Sequence, residues 1–134
     1  MKVIIKKEKK QISFLMREYI FFSKNLETVQ QWVSNVKSDI HSMLTNLGLK
    51  VDIERATDPF FNSDDFRLKF QESQELKNEF LINDVANGSV NLHLKAFSKS
   101  CYIKTQGEED LYSACFGLGY DRVYQQYLNL NKAI

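Results

Sequence analysis

Proline is nearly missing from this sequence of 134 residues, which holds only Pro59, alongside five glycines and two cysteines. With no proline- or glycine-rich stretch and no internal repeat, nothing divides the chain into linked parts or low-complexity segments. Two cysteines cannot build the disulfide lattice of a small secreted scaffold, and Cys101 and Cys115 need not pair in a reducing compartment. An excess of one charge is lacking too. The 18 Lys plus Arg against 17 Asp plus Glu leave a net charge of +1, so the molecule as a whole is not built to hold a polyanion. No run approaches the ~18 apolar residues of a membrane span. The lysine-rich start, Met1 to Gln11, is not followed by a signal-type apolar block and cleavage site, and a cytoplasmic location is the expectation. What remains is 43% hydrophobic and 26% charged residues, the balance of one folded domain, expected over 1–134.

The apolar pattern divides this domain into elements. Val3 to Ile5, a lysine-rich turn from Lys6 to Lys10, and the β-prone run Ile12 to Phe22 read as a hairpin. Asn25 is a suitable N-cap for a helix whose Leu26, Val29, Val33, Val36, Ile40, Met43 and Leu47 share a stripe, with Gly48 as its C-cap. That stripe predicts packing on the domain's own sheet, with a cofactor or partner groove as the alternative. Leu49, Val51 and Ile53 alternate with Lys50, Asp52 and Glu54 as a half-buried strand, and Asp58-Pro59-Phe60-Phe61 with Asn62 to Asp65 breaks the pattern. Strands are predicted at Leu76 to Ile82, Val90 to Phe97, Cys101 to Thr105 and Leu111 to Leu118, with hairpin turns at Asn87-Gly88 and Gln106-Gly107. After Gly119 a final helix is expected, with Val123, Tyr124, Tyr127 and Leu128 on one face. The predicted fold class is α/β (α+β): an antiparallel sheet flanked by helices.

No P-loop, dinucleotide fingerprint, HExxH, CxxC or nucleophile elbow occurs. The cluster that stands out is Cys115-Phe116-Gly117-Leu118-Gly119-Tyr120-Asp121-Arg122, a strand passing through two glycines into a helix with an arginine in its first turn. Glycine lets a ligand lie against the backbone and guanidinium suits phosphate, although the same pair serves equally to pack a strand on a helix. His93, on an alternating strand, reads as a hydrogen-bonded wall residue or a base, and Cys101 as a small hydrophobe or a metal ligand. Glu108, Glu109 and Asp110 follow a turn and read as solvated.

At the end of an antiparallel sheet, this element resembles motif 3 of class II aminoacyl-tRNA synthetases. The closer resemblance is to the amino acid:[carrier protein] ligases, a tRNA-independent branch that looks like an atypical seryl-tRNA synthetase catalytic core. Met16-Arg17-Glu18-Tyr19-Ile20 is similar to that family's Arg-Glu-Tyr segment, and Thr57-Asp58-Pro59-Phe60-Phe61 to its Asp-Pro-Phe-Phe element. Gln71 to Glu79 resembles its Gln-x-x-Gln-x-Leu-Lys-x-Glu stretch, Asn91 and His93 its Asn-x-His strand, and Ser113 to Arg122 its last strand with motif 3. The resemblance implies amino acid activation: a carboxylate attacks the α-phosphate of ATP, and a carrier protein's phosphopantetheine thiol then accepts the aminoacyl group. It places Arg122 on the γ-phosphate with Gly117 and Gly119 beside the ATP, Glu18 and Cys115 on a zinc ion that orients the substrate amino group, and Asn91 and His93 in the substrate pocket. For Glu18 and Cys115 the alternative is inherited packing. The lysines Lys6, Lys7, Lys9 and Lys10 would fall at a hairpin tip, either solvated or facing an acidic carrier protein or ATP phosphates.

The sequence also departs from that family. No cysteine or histidine precedes Glu18 to complete the zinc site, the position of the α-phosphate arginine of motif 2 falls at Met1, and motif 1 has no counterpart. The expectation is therefore the C-terminal half of such a core, inactive alone and completed by an N-terminal-half partner, or else a non-catalytic binding or regulatory module. An uncovered sheet edge leads us to expect a homodimer or a partner. With no anticodon-binding domain and little net charge, tRNA is not the expected ligand.

Overall fold

The computed structural model describes residues 4–5, 10–11, 14–56 and 77–132. Along the chain run β1 (Ile4–Ile5), β2 (Lys10–Gln11), β3 (Met16–Ser23), α1 (Leu26–Asn46), β4 (Val51–Arg55), β5 (Lys77–Ile82), β6 (Val85–Leu94), α2 (Ala96–Cys101), β7 (Tyr112–Gly119) and α3 (Tyr120–Lys132). Strands β3 to β7 form one antiparallel sheet in the order β3-β7-β6-β5-β4, and β1 pairs with β2 separately. Among the described residues the architecture is α+β, a five-stranded antiparallel sheet with three helices. The Asp58-Pro59-Phe60-Phe61 segment, residues 71–76 and the side chains of the N-terminal lysines lie outside the described residues.

Helix α1 follows its predicted stripe. Val29 and Leu44 are fully buried, and Trp32, Val33, Val36 and Ile40 pack against a core of Leu44, Leu49, Val51, Phe80, Ile82, Val90, Phe116 and Leu118. Met43 and Leu47, at the end of the stripe, stay exposed. Asn25 holds the N-cap position through its backbone, its carbonyl accepting from Val29 N–H at 3.3 Å, while its side chain makes no capping bond. Gly48 adopts φ 88° one residue beyond the C-cap Leu47, the left-handed exit that glycine permits.

The predicted N-terminal hairpin is only partly present. β1 pairs with Lys10–Gln11, whereas the long run from Met16 leaves for the main sheet and pairs with β7. Aromatic contact favours that placement: Tyr19 stacks on Phe116 at 6.4 Å and Phe21 on Trp32 at 5.3 Å.

The predicted turn at Asn87-Gly88 is displaced. The tight turn is Asn83-Asp84, with φ 53° and 62°, both left-handed as a two-residue hairpin of this hand demands. Asn87 is instead the extra residue of a β-bulge, since Phe80 faces Gly88 and Leu81 faces Ala86. Its buried side chain donates to the Val85 carbonyl at 2.7 Å. Gly88 is required by sheet packing, because a Cβ there would stand 2.6 Å from the Gly117 carbonyl oxygen. Asp84→Gly is expected to stabilise the protein by about 0.5 kcal/mol, the left-handed penalty less glycine's entropy cost. A higher urea midpoint at unchanged slope would register it.

The strand predicted at Cys101 to Thr105 is replaced by α2 and a turn through Tyr102 at φ 56°. The cause is Ser98: fully buried, its hydroxyl accepts the Leu111 N–H at 2.9 Å and donates to the Ile103 carbonyl, folding the segment back on itself. The strand predicted at Val90 to Phe97 likewise starts earlier, at Val85, and stops at Leu94. The Gln106-Gly107 turn is present, flanked by an isolated Lys104–Asp110 bridge. On α3 the predicted apolar face is rotated: Val123 reaches the core, but Tyr124 is 63% exposed, and Gln126 is buried, accepting from Asn83 Nδ2 at 2.8 Å.

Candidate functional site

Because side chains alternate along a strand, the core residues Phe80, Val90, Phe116 and Leu118 fix which positions face the other way. Glu18 of β3, Cys115 and Gly117 of β7, Ser89 and Asn91 of β6 and Glu79 of β5 share the sheet face opposite α1. The register sets them in rows. Glu18 faces Gly117, Gly117 faces Ser89 and Ser89 faces Glu79, while Ile20, Cys115, Asn91 and Lys77 form the next row. Strand spacing puts neighbours in a row ~4.8 Å apart.

Glu18, Ser89, Asn91 and Cys115 gather polar groups around Gly117. The Glu18 carboxylate lies over the bare Gly117 backbone, where a Cβ would come within 3.5 Å of Glu18 Oε1. Asn91 Nδ2 donates to Ser89 Oγ at 3.3 Å and to Cys115 Sγ at 3.4 Å. Asn91 Oδ1 is buried without a donor among the described residues. A buried acceptor left so costs about 1–3 kcal/mol, which a ligand's N–H can recover.

Arg122 stands just beyond the C-terminal end of β7, in the first turn of α3. Its Nη1 donates to the Ala86 carbonyl at 2.8 Å, its guanidinium lies 3.7 Å over the Phe14 ring, and its buried Nε has no partner among the described residues. Burial pulls its pKa below the usual arginine value, opposed by the negative charge of Glu79. Phe14 also fills the space beside Gly119, where a Cβ would stand 3.3 Å from its ring. The segment is pinned by Tyr120 N–H donating to the Leu15 carbonyl at 2.9 Å and Leu15 N–H donating to Asp121 Oδ2 at 3.2 Å. Phe14 was not legible as a site residue, since nothing in its local pattern distinguishes it from a strand-entry hydrophobe.

The glycine pair therefore does packing work, Met16 and Glu18 over Gly117 and Phe14 over Gly119. His93 is not gathered with Arg122. It bonds through Nδ1 to the buried Ser113 Oγ at 3.0 Å and packs at a tilt against Phe97, ring centroids 4.0 Å apart, and Ser113 lies six strand residues, roughly 20 Å, from Gly119. Cys101 is exposed on α2, Glu108 and Glu109 are exposed, and Asp110 pairs with Lys104 at 3.6 Å.

Glu18 and Cys115 lie on adjacent strands and the same face, one register step apart. A catalytic zinc takes three protein donors, and among the described residues no three His, Cys, Asp or Glu side chains converge. The pair alone does not fit such an ion. No helix among the described residues is long and apolar enough to cross a membrane.

No family model and no curated protein matches this chain. Among solved structures it is similar to a chain of the crystal structure of A. aeolicus tRNASec in complex with M. kandleri SerRS, with a TM-score of 0.65 at 17% identity. The match covers 85% of this chain and 24% of that one, so the shared fold spans about a quarter of the longer molecule. At this identity the likeness establishes a common α+β fold.

Proposed function

We propose that this chain is the C-terminal part of a class II synthetase-like catalytic core, working in an ATP-dependent system that activates an amino acid for a carrier protein. The observation that carries the reading is that Gly117 and Gly119 of β7, leading into Arg122 of α3, lie between Glu18 of β3 and Asn91 of β6 on three neighbouring strands. The substrate carboxylate attacks the α-phosphorus, the bond to the bridging oxygen breaks, and pyrophosphate leaves. The carrier thiol then displaces AMP from the aminoacyl carbonyl. Arg122, once it leaves Phe14 and the Ala86 carbonyl, neutralises the γ-phosphate, and the Glu18 carboxylate and Asn91 Oδ1 accept from the substrate ammonium. The α-phosphate arginine comes from a separate segment or polypeptide, and no step is routed through zinc. Amino-acid-dependent ATP–pyrophosphate exchange is expected only when the chain is combined with such a partner, the product of an adjacent gene being the first to try. Absence of exchange both alone and in the combined system would sink the reading.

A second reading, a non-catalytic synthetase-like binding or regulatory module, is favoured by the self-filled site, with Phe14 and Met16 in the glycine notches and Arg122 already engaged. It predicts no stoichiometric zinc after purification without chelator, and one tightly held zinc per chain would count against it. The tRNA named with the structural neighbour is a weaker partner here, given a net charge of +1. Measured tRNA affinity falling steeply with salt would revive it.

A further inference from the structure

The two edges of the sheet differ in kind. β4 is five residues long and carries Asp52, Glu54 and Arg55, the short charged edge that discourages strand addition. β3 is eight residues long, its outer edge has no partner among the described residues, and Met16, Tyr19 and Ile20 are exposed, Ile20 at 53%. On the core side this edge opens onto a groove of about 400 Å³ between β3 and α1, lined by Tyr19, Phe21, Trp32, Val36, Ile40 and Phe116. An added strand would therefore gain backbone hydrogen bonds and an aromatic seat together.

We infer that the occupant is a second copy of this chain, β3 pairing antiparallel with β3 about a twofold axis at Ile20 to give one continuous sheet. The choice of occupant rests on self-complementarity. A twofold perpendicular to the sheet brings residues of the same face opposite each other, so it must pass through a residue rather than between two. At Glu18 it would set two carboxylates face to face, and at Tyr19 it would leave them diagonal neighbours. At Phe21 the paired stretch shrinks to residues 19–23.

At Ile20, residues 17–23 pair. Ile20 meets Ile20, Tyr19 meets Phe21 of the second copy, and Glu18 faces Phe22 with Lys24 of that copy on its diagonal. The aromatic stripe of each copy then lies beside the other's groove at Trp32. Opposite charges come within reach and no like charges are opposed. The inference goes beyond the catalytic reading and does not depend on it.

Sedimentation velocity at tens of micromolar is expected to give twice the 15.7 kDa chain mass. A monomer under those conditions overturns the proposal. Ile20→Lys sets two ammonium groups on the axis and is expected to yield a monomer with an unchanged far-UV spectrum, whereas Ile53→Lys on the opposite edge leaves the dimer intact. Dimers surviving the first change, or lost with the second, count against β3 as the interface. A cross-link fixes the register independently of mass. Cys115 stands directly opposite Ile20 on β7, so both native cysteines are replaced first. In that Cys101→Ser, Cys115→Ser background Ile20→Cys is expected to oxidise to a disulfide-linked dimer, because directly opposed residues lie ~4.5–5.5 Å apart, within disulfide range. A dimer whose Ile20→Cys variant does not cross-link overturns the axis.

Discussion

Phe80→Ala is expected to destabilise the protein by about 3–5 kcal/mol, the usual cost of emptying a fully buried aromatic site. Phe80 has no exposed surface, meets Phe116 edge-on at 6.1 Å, and stands on β5 in the cluster that binds α1 to the sheet. Its position next to the bulge makes collapse into the cavity difficult, since the Gly88 backbone opposite it is already in tight approach to Gly117. Domains of this size hold roughly 5–15 kcal/mol in all, so the variant loses a large share of its stability. Urea unfolding followed by circular dichroism should record a much lower midpoint at unchanged slope. Tyr124→Ala, at an exposed helix position, is the control and should shift stability by no more than ~0.5 kcal/mol. Equal effects from the two variants would contradict the core assignment.

The elements legible in the sequence were those whose pattern recorded a buried face. The stripe from Leu26 to Ile40 marks α1, and the alternation in Val51, in Phe80 with Ile82, and in Phe116 with Leu118 marks strands. The misreadings arose where one buried polar contact outweighs local propensity. Asn87-Gly88 has the composition of a turn, but Asn87 is held in a bulge by its own bond to the Val85 carbonyl, and the turn passes to Asn83-Asp84. Cys101 to Thr105 has the composition of a strand, but the hydroxyl of Ser98 draws Ile103 and Leu111 together around it.

The candidate site was legible to the same degree. That Gly117, Gly119 and Arg122 lie along one strand and into its helix follows from spacing alone. That Glu18 and Cys115 share a face follows only from strand pairing, which a single sequence does not reveal. The contact of Phe14 with Arg122 depends on a backbone crossing between residues far apart in the chain, and no local pattern announces it.

That contact makes ATP binding the sharpest test of the proposed function. If Arg122 holds a phosphate, MgATP must draw the guanidinium from Phe14, and binding to the folded chain raises its stability by about 2.7 kcal/mol at ~100 times Kd. A clear rise in Tm with MgATP is therefore expected for the chain itself, whether or not a partner completes the reaction. Arg122→Ala removes the charge, the stack on Phe14 and the bond to the Ala86 carbonyl, and should abolish the ligand-induced rise. Arg122→Lys keeps the charge but loses the planar fork and should recover little of it. In a combined system that supports exchange, loss of this donor should lower the rate by about 10²–10³-fold. Phe14→Ala separates the roles. It removes the ring that competes for the guanidinium, so a site that binds phosphate keeps its MgATP response, while a merely structural pair gives a lower starting Tm and no response in any variant. A wild-type chain whose Tm ignores MgATP would remove Arg122 from the ATP site and leave the stack as part of the packing between β7 and α3.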